Sequence, residues 1–135
     1  MARRLILDTG VLVATERGRA ALSEVIHADD DLVIAAVTVA ELRTAIELAD
    51  EACRASRTEF LVKVLETMPI EPYDLAVAEA HGRLLAHVHR SGTQRGAHDL
   101  IIAATAAATR RVILTTDRNA RFDELPGVEC LVVDL

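Results

Sequence analysis

RRLILDTGVL, residues 3–12, sets three apolar residues directly against a carboxylate. Leu5, Ile6 and Leu7 form a short run suited to a strand covered on both faces, yet Asp8 follows at once, with Thr9 and Gly10 behind it. An acid at the end of a buried strand has two readings. Asp8 closes a turn or caps a helix by accepting backbone N–H groups, or it is held at the strand end for chemistry.

The rest of the chain supplies more strands of the same kind. Short β-branched runs predict strands over residues 4–8, 30–37 (DDLVIAAV), 111–117 (RVILTTD) and 128–134 (VECLVVD), the last introduced by the turn dipeptide Pro126-Gly127. A further short strand at residues 69–72 is restricted to an edge by Pro69 and Pro72. Between them the apolar spacing is helical. Val39, Leu42 and Ile46, then Phe60, Leu61, Val64 and Leu65, predict two helices within Thr38–Met68, broken near Asp50–Arg57. Leu75, Ala78, Leu85 and Val88 predict a helix over Asp74–Ser91 that Gly92 stops, and HDLIIAATAAATR predicts an alanine-rich helix able to lie close on a sheet. Alternating strands and helices give an α/β fold, a three-layer sandwich around a mostly parallel central sheet. At 135 residues, without a repeat or linker, the chain is expected to form one domain over 1–135.

Composition narrows the function classes. Hydrophobic residues make up 51% of the chain and aromatic ones 2%, so the core must be aliphatic and closely packed. A net charge of −6 disfavours sequence-independent DNA binding through a broad basic face but leaves RNA open, since 14 of the 15 basic residues are arginine. No apolar run approaches the roughly 20 residues of a bilayer span, and the amino terminus lacks a signal-peptide core, so a cytoplasmic location and no membrane partner are expected. Cys53 and Cys130 have no metal-site spacing and are expected to be small buried apolar residues.

In open parallel sheets, ligands bind at the carboxyl ends of the strands. Four acids fall at such places: Asp8 after the first strand, Glu41 inside the helix after the second, Asp99 in the first turn of the alanine-rich helix, and Asp117 after VILTT. Each has an ordinary explanation. Asp8 and Asp117 suit turns, Asp99 complements a helix dipole, and Thr38-x-x-Glu41 has the spacing of a capping box. Together they change the weighting, because four carboxylates on one rim raise each other's pKa unless a cation compensates them. Carboxylate oxygens without a cysteine or histidine cluster suit Mg²⁺, with Mn²⁺ able to substitute, and the chemistry this implies is metal-assisted hydrolysis of a phosphodiester.

LILDTG, VTVAELRTA, GAHDLIIAATA and LTTDRNARF, in this order, make the whole chain resemble a PIN domain, specifically the VapC-type toxins of toxin–antitoxin pairs. The resemblance implies a parallel sheet flanked by helices and an Mg²⁺- or Mn²⁺-dependent endoribonuclease. It implies that Asp8, Asp99 and Asp117 hold metal directly or through water, and that Glu41, matching a glutamate that opens the third helix, orients water or shares the ion. Thr9, Thr116 and Asn119 resemble the hydroxyl and polar residues beside those acids. A cognate VapB-type antitoxin whose tail blocks the acidic pocket, a homodimer and a toxin–antitoxin hetero-oligomer are the partners implied, beside the RNA substrate.

Three rivals weigh less. Phosphotransferases of the haloacid dehalogenase type want a second aspartate two residues after the first, where this chain has Gly10. A signalling receiver wants a lysine at a late strand end, and the only lysine is Lys63, in a predicted helix. A PIN-like binding module that has lost catalysis would not need all four acids. His98 adjoins Asp99, but neighbours on a helix point about 100° apart, so a surface role is expected for it. The other histidines, His27, His81, His87 and His89, have no ligand spacing with the acids. Arg90, Arg95, Arg110, Arg111, Arg118 and Arg121 crowd the half of the sequence that holds Asp99 and Asp117 and are candidates for phosphate contacts.

Overall fold

A computed structural model describes residues 2–18 and 22–135. Strand β1 (Arg4–Leu7) leads into helix α1 (Thr9–Glu16), and β2 (Asp31–Ala35) into α2 (Ala36–Glu47) and α3 (Glu51–Thr67). Then come β3 (Ile70–Glu71), α4 (Leu75–Ser91), α5 (Ala97–Thr109), β4 (Val112–Thr115) and β5 (Cys130–Val132), with 3-10 turns at Leu22–Glu24, Arg118–Ala120 and Phe122–Glu124. The strands form one sheet in the order β3-β2-β1-β4-β5, and all four pairings are parallel. The expected α/β sandwich is therefore present, with its strand order reversing between β1 and β4.

β1 is central because both its faces are apolar. Leu5, Ile6 and Leu7 are each at most 1% exposed, a burial that stabilises by about 2 kcal/mol per side chain. Register then distributes the strands between two cores. Ile6 pairs with Val33 and Ile113 and faces α4 and α5, where Val77, Leu84, Leu100 and Ile102 pack. Leu7 pairs with Leu114 and faces α1, α2 and α3 with Val11, Leu42, Ile46 and Leu61. Ala103, Ala104 and Ala106 are fully buried, which lets α5 approach the sheet and α4 closely.

Local signals set most helix ends. Asp50 and Asp74 cap α3 and α4 by accepting the Cys53 and Val77 N–H groups at 2.9 and 3.0 Å. Gly92 ends α4 at φ 68°, a left-handed conformation that glycine adopts without steric cost. The observed strands are shorter than the predicted ones, because the apolar pattern of each runs on into the turn or helix beyond it. Ala36 and Val37, expected in β2, already belong to α2, so Thr38 lies inside that helix. The break between α2 and α3 falls at residues 48–50, earlier than expected, because Asp50 caps a segment of good helix formers. Helix α1 is one the sequence pattern does not predict: Val11, Leu12 and Ala14 look like an apolar continuation of β1 until Asp8 is known to cap it. Residues 70–71 do form the edge strand. Cys53 is exposed and Cys130 half-buried, against the expectation of burial, since Cys53 lies in the solvent-facing first turn of α3. Among the described residues no helix is long and apolar enough to cross a membrane.

Arg3 ties the start of β1 to the turn before β2, donating to both oxygens of Asp30 at 2.9 and 2.6 Å. This pairing holds the Asp30 carboxyl down to about 2. A carboxyl whose folded value lies below its unfolded one, about 3.9, adds stability above the unfolded value and loses it as pH falls through the folded one. Asp30→Asn is therefore expected to melt at lower temperature near neutral pH. It should also lose that part of the acid-induced drop in melting temperature falling between about pH 4 and about pH 2.

Candidate active site

The strand order reverses between β1 and β4, and in open parallel sheets the carboxyl ends of the strands at such a point are where ligands bind. Asp8 stands there as the N-cap of α1 and is 7% exposed. Its N–H donates to the Leu114 carbonyl at 2.9 Å, carrying the sheet one residue past β1. Its Oδ1 accepts the Thr9 N–H at 2.9 Å, and its Oδ2 accepts the hydroxyl of Thr115 at 2.8 Å. The same Thr115 oxygen accepts the Asp117 N–H at 3.0 Å. One buried hydroxyl thus connects the acids beyond β1 and β4.

Glu41 approaches from the second turn of α2. Its Oε1 accepts the Thr9 hydroxyl at 2.8 Å, which also lies 3.1 Å from the buried Thr38 hydroxyl. Glu41 does not reach back to Thr38 as a capping box requires, because α2 begins at Ala36 with Ala35 as its cap. It belongs to the second α-helix, or the third helical segment if the 3-10 turn at Leu22–Glu24 is counted. Asp99 comes from the first turn of α5 and is half-buried. Asp117 caps the 3-10 turn after β4, its Oδ1 accepting the Asn119 N–H at 2.9 Å.

The four carboxylates act on one another electrically. Asp8 is pushed above the ordinary carboxylate range, first by burial and then by the charges of Glu41 and Asp117, against the lowering effect of the Thr115 and Thr9 hydrogen bonds. Asp99 is pushed up by burial and by Asp8, Asp117 and Glu41. The rim nevertheless stays open. Among the described residues no three of these acids bring ligand oxygens within 4.8 Å of one another, as mutual repulsion would have it. Four carboxylates and no cysteine form a donor set that fits a hard divalent cation, which would neutralise the repulsion. The group that does come that close, His27, Asp29 and Asp30, lies at the other end of β2, and its Asp30 is already paired with Arg3.

The seven residues named from the sequence lie in the turns and helices beyond β1, β2 and β4 or at the start of α5, but their contacts differ from those expected. Thr115, not Thr116, binds Asp8; the Thr116 hydroxyl instead lies 3.3 Å from where a Cβ on Gly10 would stand. Asn119 contributes its backbone N–H. His98 is exposed as expected, yet its Nδ1 comes within 3.7 Å of Glu41 Oε2, because Glu41 reaches across from α2. The arginines are largely engaged elsewhere. Arg95 holds the Ala120 and Arg121 carbonyls at 2.6 and 2.7 Å, and Arg118 pairs with Asp134. Arg111 is buried at the opposite end of the sheet, where it donates to the Leu5 and Asp31 carbonyls, and so is not available to a phosphate at the acidic rim. Beside Thr9 and Glu41 a groove of about 460 Å³ runs between α1, α2 and α3 past Arg57, Phe60 and Lys63, which the sequence did not reveal.

A family model described as PIN domain matches residues 5–128. The chain belongs to the PIN-domain family. Ribonuclease VapC5 of Mycobacterium tuberculosis is 36% identical to it over 132 residues, covering 95% of this chain and 94% of that one. The solved structure of VapBC-5, a member of the VapBC family of toxin–antitoxin systems from the same organism, superposes with a TM-score of 0.80 at 32% identity and covers 96% of this chain and 98% of that one. VapBC2 of Rickettsia felis, bound to a DNA fragment from its promoter, gives a TM-score of 0.87, covering 97% and 99%; at 18% identity this is a likeness of fold.

In this PIN domain the Thr115 hydroxyl is the one side-chain donor to the buried Asp8 oxygen among the described residues. Thr115→Val keeps the shape of the side chain and leaves that oxygen unpaired. The expected loss of stability is about 1–3 kcal/mol by urea denaturation, against a change within about 0.5 kcal/mol for Thr116→Val.

Proposed function

We propose that this PIN domain is a divalent-metal-dependent endoribonuclease, the toxin of a toxin–antitoxin pair. The observation that carries this reading is the convergence of Asp8, Glu41, Asp99 and Asp117, from four separate elements, on the carboxyl edge of one sheet, where burial and like charge raise the pKa of Asp8 and Asp99. Such a cluster lowers the stability of the metal-free fold, and a bound cation offsets that loss. The similarity to proteins named ribonuclease VapC supports the choice of RNA as substrate.

Asp8, Asp99 and Asp117 would hold Mg²⁺, or Mn²⁺ in its place. When bound, the ion neutralises the negative charge that develops on the phosphoryl oxygens. Asp8 would be the most firmly held of the three, since both its oxygens are fixed by Thr9 and Thr115. Glu41, oriented by the Thr9 hydroxyl, accepts a hydrogen bond from the attacking water. The water oxygen bonds to phosphorus, the bond to the leaving ribose oxygen breaks, and the water's hydrogens end on the two products. Domain 1–135 would act as one catalytic unit in the cytoplasm, and as a homodimer. A VapB-type antitoxin, in a hetero-oligomer with the toxin, would silence it by laying its tail along the groove that begins at Thr9 and Glu41. The names of the solved neighbours, which are toxin–antitoxin complexes, support that partner.

Asp8→Asn and Asp99→Asn are each expected to reduce cleavage of RNA to background and to relieve growth inhibition on expression, with the circular dichroism spectrum unchanged. Chelation of divalent ions should do the same to the parent protein. Full activity of a folded Asp8→Asn, Asp99→Asn double variant would exclude this site.

The charge cluster adds a pH dependence. Asp8 and Asp99 have folded values above the ordinary one, so the folded state binds their protons more readily than the unfolded state does. Their contribution to stability is present below the ordinary carboxylate range and lost as pH rises through the folded values. Metal-free protein should therefore melt at higher temperature when pH falls from neutral toward about 5, and Asp99→Asn should show a smaller rise. Mg²⁺ at neutral pH is expected to raise the melting temperature of the parent and not that of Asp99→Asn.

A further inference from the structure

Gly96 is the N-cap of α5 and makes no side-chain cap bond, unlike the aspartates that cap α1, α3 and α4. Its backbone does not require glycine, because φ −62° and ψ 134° suit any residue. What glycine supplies is space. A Cβ at position 96 would stand 3.0 Å from Asp99 Oδ2 and 3.4 Å from Asp99 Cγ. The Asp99 carboxylate therefore leans back over the helix start, across the place a side chain would fill.

No hydrogen bond holds it there. Among the described residues the Asp99 carboxylate accepts no hydrogen bond from the protein, whereas Asp8, Glu41 and Asp117 each accept one or two. The space above Gly96, which a Cβ would fill, is the space that the Asp99 carboxylate occupies.

We propose that Gly96 is a positioning residue for the metal site, its missing side chain setting the rotamer in which Asp99 meets the cation. This rests on the metal-dependent reading of the four acids. A methyl group at position 96, 3.0 Å from Asp99 Oδ2, turns the carboxylate toward another rotamer, and a ligand moved from its productive geometry binds an ion more weakly. The backbone angles at position 96 suit alanine as well, although alanine is the poorer helix cap.

Mn²⁺ binding to the full-length protein, read from the electron paramagnetic resonance signal of the free ion, tests this. Gly96→Ala is expected to bind Mn²⁺ about tenfold more weakly than the parent, the loss typical when support for a metal ligand is removed. Its metal-free form should remain folded and melt cooperatively at a somewhat lower temperature, because alanine caps α5 less well than glycine. Gly82→Ala, in open space on α4, is the matched control and should bind as the parent does. Asp99→Asn separates the two ideas. If it loses Mn²⁺ while Gly96→Ala keeps it, the positioning role is wrong and the metal site stands. If the parent itself takes up no Mn²⁺, both fall. If metal-free Gly96→Ala no longer folds, Gly96 serves the fold rather than Asp99, and the proposal is overturned.

Discussion

The hydrogen bond from the Thr115 hydroxyl to Asp8 Oδ2, 2.8 Å long and closed to solvent, is where the fold and the site become one object. It spans the join between β1 and β4, the two neighbouring strands at which the strand order reverses. A carboxylate that is only 7% exposed cannot stand without partners, and Asp8 has them on both oxygens. Those partners fix its direction as well as its charge. The remaining three acids are placed relative to it by elements that pack on the same sheet.

The arrangement is locally unfavourable and globally tolerated. Burial and like charge push Asp8 and Asp99 upward together, while the cores on the two faces of the sheet are closely packed. A scaffold of aliphatic side chains supplies the stability that the rim withholds, and a rigid scaffold is what keeps repelling groups from spreading further. The openness of the rim reflects the same balance: the acids are near enough to sense each other, yet no three of them close into a cage.

Arginine use obeys a similar logic. In a chain with net charge −6, six arginines lie between residues 90 and 121, around Asp99 and Asp117, and proximity in sequence suggests phosphate contacts. Instead Arg95 ties down the backbone between the last two 3-10 turns, and Arg111 binds carbonyls of β1 and β2 at the end of the sheet away from the acids. The guanidinium group's many donors make it suited to collecting carbonyls that loops and strand ends leave free.

Several features were legible in the linear chain because they depend on near neighbours. The apolar triplet Leu5–Leu7 marks a central strand, Asp74 and Gly92 mark the start and end of α4, and the alternation of strands and helices marks a parallel sheet. The four acids stood out because each comes after a strand or opens a helix. Other features depend on register and on which helix crosses which, and these no local pattern contains. That Thr115 rather than Thr116 meets Asp8 is a consequence of Leu7 pairing with Leu114, which sets the next residue of each strand side by side. That His98 comes near Glu41 results from how α5 and α2 approach the sheet. By itself the sequence determined the elements and the acids that end them, since propensity and periodicity act over a few residues; only the tertiary structure decided which atoms meet, since contacts between residues 107 apart are settled by packing.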